Sequence, residues 1–361
     1  MPIRYRPAND GMRDALGLVA PGTPLRAGLD RVVRAKAGAL LVIDDGPEVL
    51  AICSGGFLVD APYSPQRLSE LAKMDGAIIV SANCDRIARA NVHLVPDPTV
   101  PTSETGTRHR TAERVARSLG VPVVSASEEM GVINLYAGGS KHMLQDISRL
   151  LDRANQALQT LERYKVKLED ALLNLTSAEL EDAASLRDVV TVVQRGEMVN
   201  RIAEEIETMI IELGVEARLL RLQLDELYGD IDAELELVVA DYLPPGRSAA
   251  DTLAAMATLS DDEVLDVKSA AAMFRGDGDR MSVGDLDQDV APKGLRLLNR
   301  VHTLPEDSAS KIADHFGGLA RLQRATVGDL MAIDGVDGEL AISIKETLQR
   351  VTESAILDQY S

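Results

Sequence analysis

The chain of 361 residues is poor in several features that would narrow its class at once. It has two cysteines, Cys53 and Cys84, with no metal-ligand or redox spacing, so neither a disulfide framework nor a thiolate metal site is implied. Each lies in or beside a strand-like apolar run, where a buried thiol behaves as a small hydrophobe. No apolar run reaches membrane-spanning length and no signal-peptide pattern follows Met1-Pro2-Ile3-Arg4, so a soluble, cytoplasmic protein is expected. No Gly-x-Gly-x-x-Gly follows the first strand-like run, which argues against the dinucleotide fold that uses it, and Gly138-Gly139-Ser140-Lys141 lacks the leading glycine of a P-loop. The stretch from Gly276-Asp277-Gly278-Asp279 through Asp289 lacks the spaced ligands and closing glutamate of a calcium loop, and reads as an acidic linker.

Charge is unevenly placed. Residues 151–290 hold 31 Asp and Glu against 13 Lys and Arg, whereas the segments on either side are close to balanced. The middle of the chain would repel nucleic acid, so any polyanion site belongs to one of the ends.

Three segments follow from periodicity. Residues 1–145 read as an α/β domain with a mixed central sheet flanked by helices. Val- and Ile-rich runs recur at Leu40–Ile43, Val49–Ile52, Ile78–Val80, Val121–Val124 and Val132–Tyr136, bounded by Gly and Pro signals. Helical patterns lie between them, at Pro65 to Met74 and Thr111 to Leu119. Asp44-Asp45-Gly46-Pro47 has the look of a hairpin turn joining the first two runs. Residues 146–290 form an all-α spine: three long amphipathic helices, the first from about Met143, the second from Leu186 to a stop at Gly214, the third running on through Leu237, with the acidic linker behind them. Residues 291–361 carry two helix-turn-helix signals, one at Leu304 to Ala309 leading to Phe316, the other at Ile333-Asp334-Gly335-Val336-Asp337-Gly338.

Two short motifs carry the chemistry. Asp75-Gly76-Ala77 opens an apolar run, and a carboxylate at the mouth of a strand can hold a divalent metal. Gly76 permits close backbone approach to a ligand, or simply a turn. Thr107-Arg108-His109-Arg110-Thr111 sits in a Thr/Ser/Gly loop just before a helical pattern, where hydroxyls, guanidinium forks and free helix-start amides would together suit a triphosphate. Ser127 and Glu128, after Val121–Val124, bring a hydroxyl and a carboxylate to the same edge of the sheet, or serve as an ordinary turn.

The two motifs at this spacing resemble the diadenylate cyclase family over about residues 10–145. The last segment is similar to a tandem helix-hairpin-helix domain, and the three-part order resembles the DNA-scanning branch of the family. The resemblance implies condensation of two ATP into cyclic di-AMP, a second messenger, with release of two pyrophosphates. It also implies an octamer with cyclase domains meeting at the centre, and coupling to branched or damaged DNA. Carried onto this chain, Asp75 would hold the metal and orient the attacking ribose 3′-OH. Arg108 and His109 would hold the triphosphate, with Arg110, Thr107 and Thr111 beside them. Gly76 and Leu94 would lie against the nucleoside, and Ser127 and Glu128 near phosphate or metal. Mg²⁺ is the expected ion, with Mn²⁺ suited to the same oxygen ligands. Gly335, Val336 and Gly338 would meet DNA phosphates through backbone amides. Asp337 departs from the hairpin pattern, which has glycine there, and a carboxylate beside a phosphate is unfavourable. The rival reading is a non-enzymatic DNA-binding scaffold whose α/β domain only mediates assembly.

Overall fold

The computed structural model describes residues 10–128, 131–244, 246–275, 283–305 and 308–359. Over the described residues the chain divides into two compact units, one gathering residues 10–158 with 205–224, the other residues 159–204 with 225 onward.

The first unit is built on a mixed eight-stranded sheet. Helices α1 (Asp10–Leu18) and α2 (Pro24–Arg34) precede β1 (Ala39–Ile43). Then come α3 (Pro47–Ala51), β2 (Cys53–Ser54), β3 (Phe57–Pro62), α4 (Pro65–Leu71), β4 (Ala77–Val80), β5 (Arg86–Leu94), α5 (Thr107–Leu119), β6 (Val123–Ala126), β7 (Ile133–Ala137) and β8 (Ser140–Met143). The spatial order is β2-β5-β4-β1-β6-β7-β8, with β3 also on β5, and only β1 and β4 run parallel among the named pairs. Because side chains alternate across a strand, Leu41, Ile43, Ile78 and Val80 face Leu16, Leu25, Leu29 and Leu68 of α1, α2 and α4. Val42, Ile79, Val92 and Tyr136 face Ala112, Val115 and Ala116 of α5. Each wholly buried aliphatic side chain here stabilises by about 1.5–3 kcal/mol, so the central strands are pinned in register from both faces.

The expected hairpin at Asp44–Pro47 is not formed. Pro47 occupies the first turn, where its fixed φ is pre-organised, and Glu48 favours that turn, so Val49–Ala51 goes into α3 with Ile52 as its C-cap, rather than into a strand. Nor is the basic motif a loop before a helix: α5 begins at Thr107, one turn earlier than its apolar pattern suggests. At the C-terminal end of this unit Gly214, in the left-handed region at φ 54°, stops the helix as expected. Glu212 just before it takes hydrogen bonds from His142 Nε2 (2.8 Å) and the Gln145 amide (2.9 Å).

The long helices are α6 (Ile147–Leu180) and α7 (Leu186–Leu213). The expected third helix is broken into α8 (Arg218–Tyr228) and α9 (Ile231–Tyr242) at Gly229, whose φ is 50°. Short helices follow: α10 (Ala249–Ala257), α11 (Asp261–Leu265), α12 (Val267–Arg275), α13 (Val283–Leu286), α14 (Leu295–Leu298), α15 (Ser308–Phe316), α16 (Leu319–Arg324) and α17 (Val327–Met331), before α18 (Gly338–Gln359) closes the chain. Part of the acidic stretch, 276–282, lies outside the described residues. The rest is not a free linker: Asp287 pairs with Arg187 at 2.8 Å and Asp289 bridges Ser185. The terminal helices share one apolar core, including Leu297, Leu298, Ile312, Leu322, Leu330, Ile344 and Leu348.

Candidate nucleotide site

Strand register decides what meets at one edge of the sheet. Leu41 is level with Ile78, which puts Gly76 level with Ala39. Ala39 pairs with Ala126, so Ser127 and Glu128 emerge at the same edge. Ala77 pairs with Val92, which brings the end of β5 and Leu94 there too. Gly76 has a local reason to be glycine: a Cβ would lie 2.5 Å from the backbone of Asn91, a residue held at φ 51° where β4 and β5 lose register.

Arg108 crosses from α5 to this edge. Its guanidinium lies over Gly38, where a Cβ would come within 2.0 Å of Nη1, and Nη2 donates to Asp75 Oδ1 at 3.2 Å. The two sequence motifs therefore touch. The Asp75 side chain is 97% exposed, and an ion pair so open to water contributes little, so a substrate can replace either partner at small cost.

Gly106 caps α5 at φ 83° and offers no side-chain acceptor, leaving the first-turn amides without a side-chain cap. An uncapped helix start concentrates positive potential and N–H donors. The loop before it is fastened from below by buried Glu113, which accepts from Thr102 Oγ1 (2.5 Å) and the Ser103 amide (3.0 Å) and pairs with Arg117 at 2.8 Å. Burial alone would raise the Glu113 pKa, but these hydrogen bonds and the Arg117 charge outweigh it and hold the carboxyl below its usual value. Thr107 and Arg110 are exposed on this first turn, and Thr111 Oγ1 donates to the Thr107 carbonyl at 2.9 Å.

His109 turns toward β7, with Nδ1 3.1 Å from the hydroxyl of buried Tyr136. Burial pushes the imidazole pKa down; Glu104 raises it, and Lys141 and Arg108 lower it again. Lys141 pairs with Glu104 at 2.6 Å and sits 5.9 Å from the Tyr136 ring centroid. Burial and Glu104 push the Tyr136 hydroxyl well above its ordinary value, so it stays protonated.

The structure thus brings Asp75, Gly76 and Arg108 into one constellation with Thr107, His109, Arg110 and Thr111 on the adjoining helical turn. Leu94 is buried in the core beneath α5 rather than open at the edge. Ser127 spends its amide on the Val132 carbonyl at 2.9 Å, and Glu128 is exposed in the following turn. Residues not anticipated are Gly38, Glu104, Glu113, Tyr136 and Lys141. Nothing in their local pattern separates them from core or surface positions, since each acts through a neighbour distant in sequence.

At the other end of the chain, α15 and α16 are joined through Gly317 and Gly318, both at positive φ, and α17 turns into α18 through Gly335 at φ 89°. Val336 is buried in the local core and Gly338 is the first residue of α18. Asp337 Oδ1 accepts from the Leu340 amide at 2.8 Å, so the departing carboxylate serves as a helix cap.

Residues 26–141 match the family described as DisA bacterial checkpoint controller nucleotide-binding (DAC), and residues 144–280 match the DisA bacterial checkpoint controller linker region. The DNA integrity scanning protein DisA of Parafrankia sp. (strain EAN1pec) is 47% identical over 359 residues, covering 98% of this chain and 99% of its own. That of Streptomyces coelicolor is 47% identical over 354 residues, covering 97% and 94%. Among solved structures, DacA from Staphylococcus aureus aligns over 37% of this chain and 87% of its own, at 21% identity and a TM-score of 0.28, too low to bear on the fold. Sheet, motifs and family match define a diadenylate cyclase, a nucleotidyltransferase. Over nearly its whole length the chain belongs to the DisA family.

Proposed function

We propose that the protein condenses two ATP into cyclic di-AMP, each ATP held by one protomer against another, and that the observation carrying this reading is the meeting of Asp75 and Arg108 beside the uncapped start of α5. The triphosphate sits on the first turn of α5, where amides, Thr107, Thr111, Arg108 and Arg110 neutralise its charge. The 3′-oxygen of one ribose attacks the α-phosphorus of the ATP opposite. A 3′-O–P bond forms, the bond from α-phosphorus to the bridging oxygen breaks, and pyrophosphate leaves with that oxygen; the reciprocal attack closes the ring. Such transfer depends chiefly on positioning and charge neutralisation. Asp75 orients the 3′-OH and takes its proton as the 3′-O–P bond forms. His109, held by Tyr136, orients the phosphate chain, Gly76 bounds the nucleoside side of the edge, and Ser127 and Glu128 stand at its far corner.

Among the described residues no cluster of three metal-ligating side chains occurs. Asp75 alone fits Mg²⁺, an ion that keeps several waters and is commonly held by one or two carboxylates plus substrate phosphates. When bound, Mg²⁺ or Mn²⁺ would offset phosphate charge as the leaving group departs.

The functional division we propose is a cyclase domain over 1–145, a helical linker over 146–290 and a tandem helix-hairpin-helix domain over 291–361. The last would contact branched or damaged DNA through Gly335, Val336 and Gly338, in a cytoplasmic octamer that couples DNA scanning to synthesis. The test is incubation of the purified protein with ATP and Mg²⁺ or Mn²⁺, with products identified by mass spectrometry. Cyclic di-AMP is expected, and is lost in Asp75→Asn and Arg108→Ala. Product at the wild-type rate from Asp75→Asn removes that residue from the mechanism.

A further inference from the structure

A cavity of about 320 Å³ opens between α6, the segment after α14 and the second half of α18. Arg300, His302 and Arg350 line it together with the hydroxyls of Ser177, Thr347 and Ser354. Thr347, Arg350 and Ser354 recur at helical spacing, so α18 presents them as one stripe. Arg350 donates to Thr347 Oγ1 at 3.1 Å, and neither it nor Arg300 nor His302 has a carboxylate partner among the described residues. Arginines of the unit divide between those bonded to carbonyls or hydroxyls, such as Arg195 and Arg247, and those with a carboxylate. Arg187, Arg201 and Arg296 are each paired with a carboxylate, and acidic side chains far outnumber basic ones over residues 151–290. Two guanidiniums without a carboxylate partner, facing one hollow beside an imidazole and several hydroxyls, make a local positive well that an anion would fill.

The wall behind them is tied by hydrogen bonds. Thr176 Oγ1 donates to the Leu172 carbonyl at 2.7 Å and accepts from buried Arg296 at 2.9 Å, so it has no hydrogen left for a ligand. Among the described residues the hydroxyls of Ser177 and Ser354 are uncommitted, Thr347 accepts from Arg350 but keeps its own hydrogen to donate, and Leu173 and Val351 add apolar surface. The volume falls at the lower end of the range for small-molecule sites. Guanidinium forks recognise phosphate in pairs of parallel hydrogen bonds. Arg350 lies twelve residues beyond Gly338, about 18 Å along α18 at ~1.5 Å per residue, well away from the hairpin turn.

We propose that this cavity binds a small phosphomonoester of the size of a nucleoside monophosphate, its phosphate held by Arg300 and Arg350 and its remainder against Leu173 and Val351.

The test uses full-length protein carrying Arg108→Ala, so that the cyclase site does not obscure the reading, and titrates AMP and inorganic phosphate calorimetrically. One AMP per chain is expected, with phosphate competing. Arg300→Gln with Arg350→Gln should weaken AMP at least tenfold, as should Ser354→Glu, which sets a negative charge at an exposed position on the mouth. Absence of AMP binding at millimolar concentration overturns the proposal, as does binding that ignores these substitutions. A short DNA duplex losing affinity in the Arg300→Gln, Arg350→Gln protein while AMP does not bind at all also overturns it, and assigns the arginines to a nucleic-acid surface.

Discussion

Replacing Arg296 with methionine should destabilise the unit containing it by about 3–5 kcal/mol, the range expected when one partner of a buried ion pair is removed. Arg296 is 1% exposed and its Nη2 donates to Glu179 Oε2 at 2.5 Å and to Thr176 at 2.9 Å, with Glu234 3.5 Å from Nη1. Nε and Nη1 have no hydrogen-bond partner among the described residues, so the guanidinium is incompletely satisfied there. The substitution leaves the buried Glu179 carboxyl with the Tyr242 hydroxyl, at 2.6 Å, as its remaining side-chain partner among the described residues. Adding Glu179→Leu to Arg296→Met removes that stranded carboxyl, and buried pairs exchanged for apolar residues are often neutral or better. The double variant should therefore recover most of the loss. Urea unfolding of the full chain followed by tyrosine emission measures both, since the sequence has no tryptophan to dominate the signal. A single variant within about 1 kcal/mol of wild type, against the expected 3–5 kcal/mol, would falsify the assignment. So would a double variant no more stable than Arg296→Met, because the losses would then not be coupled.

Gly76→Ala drives a methyl to 2.5 Å from the Asn91 backbone; a loss of about 1–3 kcal/mol and of cyclase activity is expected, and a fully stable, active variant would show that β5 yields there. Tyr136→Phe removes the His109 Nδ1 contact and should lower kcat about tenfold with KM little changed, in line with a lost hydrogen bond of ~1–1.5 kcal/mol; unchanged kcat would reduce Tyr136 to packing. The lowered His109 pKa gives a pH prediction. Because the fold prefers the neutral ring, its contribution is full above the unfolded value near ~6.5 and is lost as pH falls through the lower folded value. The acid limb of the rate should accordingly lie below that of a free histidine, and an inflection above it would contradict the burial described for the ring.

Much of the fold is legible in the sequence where burial is two-sided. Ala77–Val80 and Ile133–Ala137 are buried at every position and read as apolar runs, the second interrupted by the one buried polar residue Asn134. Strand β8 is polar and mostly exposed, so no apolar pattern marks Ser140–Met143, whereas β3 begins with the apolar Phe57-Leu58-Val59 yet lies mostly exposed, so its composition does not report its burial. In β5 the alternation is interrupted at Asn91, and Arg86, Arg89 and His93 hide a central strand among charges. The hairpin expected at Asp44–Pro47 fails because one proline can begin a helix as well as shape a turn. At the site, residue types alone suggest Asp75 and Arg108, but their contact across 33 positions comes from the parallel pairing of β1 with β4. Glu113 and Tyr136 escape notice because their partners, Thr102 and His109, are set by packing rather than by spacing.

The division into units has a practical consequence, because neither is one continuous stretch of chain: residues 205–224 return to the sheet unit after α6 and most of α7 have intervened. A fragment ending at residue 145 or 158 would lack Glu212, the acceptor for His142 and Gln145, and Val215, whose amide bonds to Pro21 and whose side chain lies where a Cβ on Gly22 would fall. Such a truncation uncovers surface that the whole chain keeps sealed. Proteolytic nicking between the long helices should leave the pieces held together, and an excised cyclase fragment is a different object from the same residues in place.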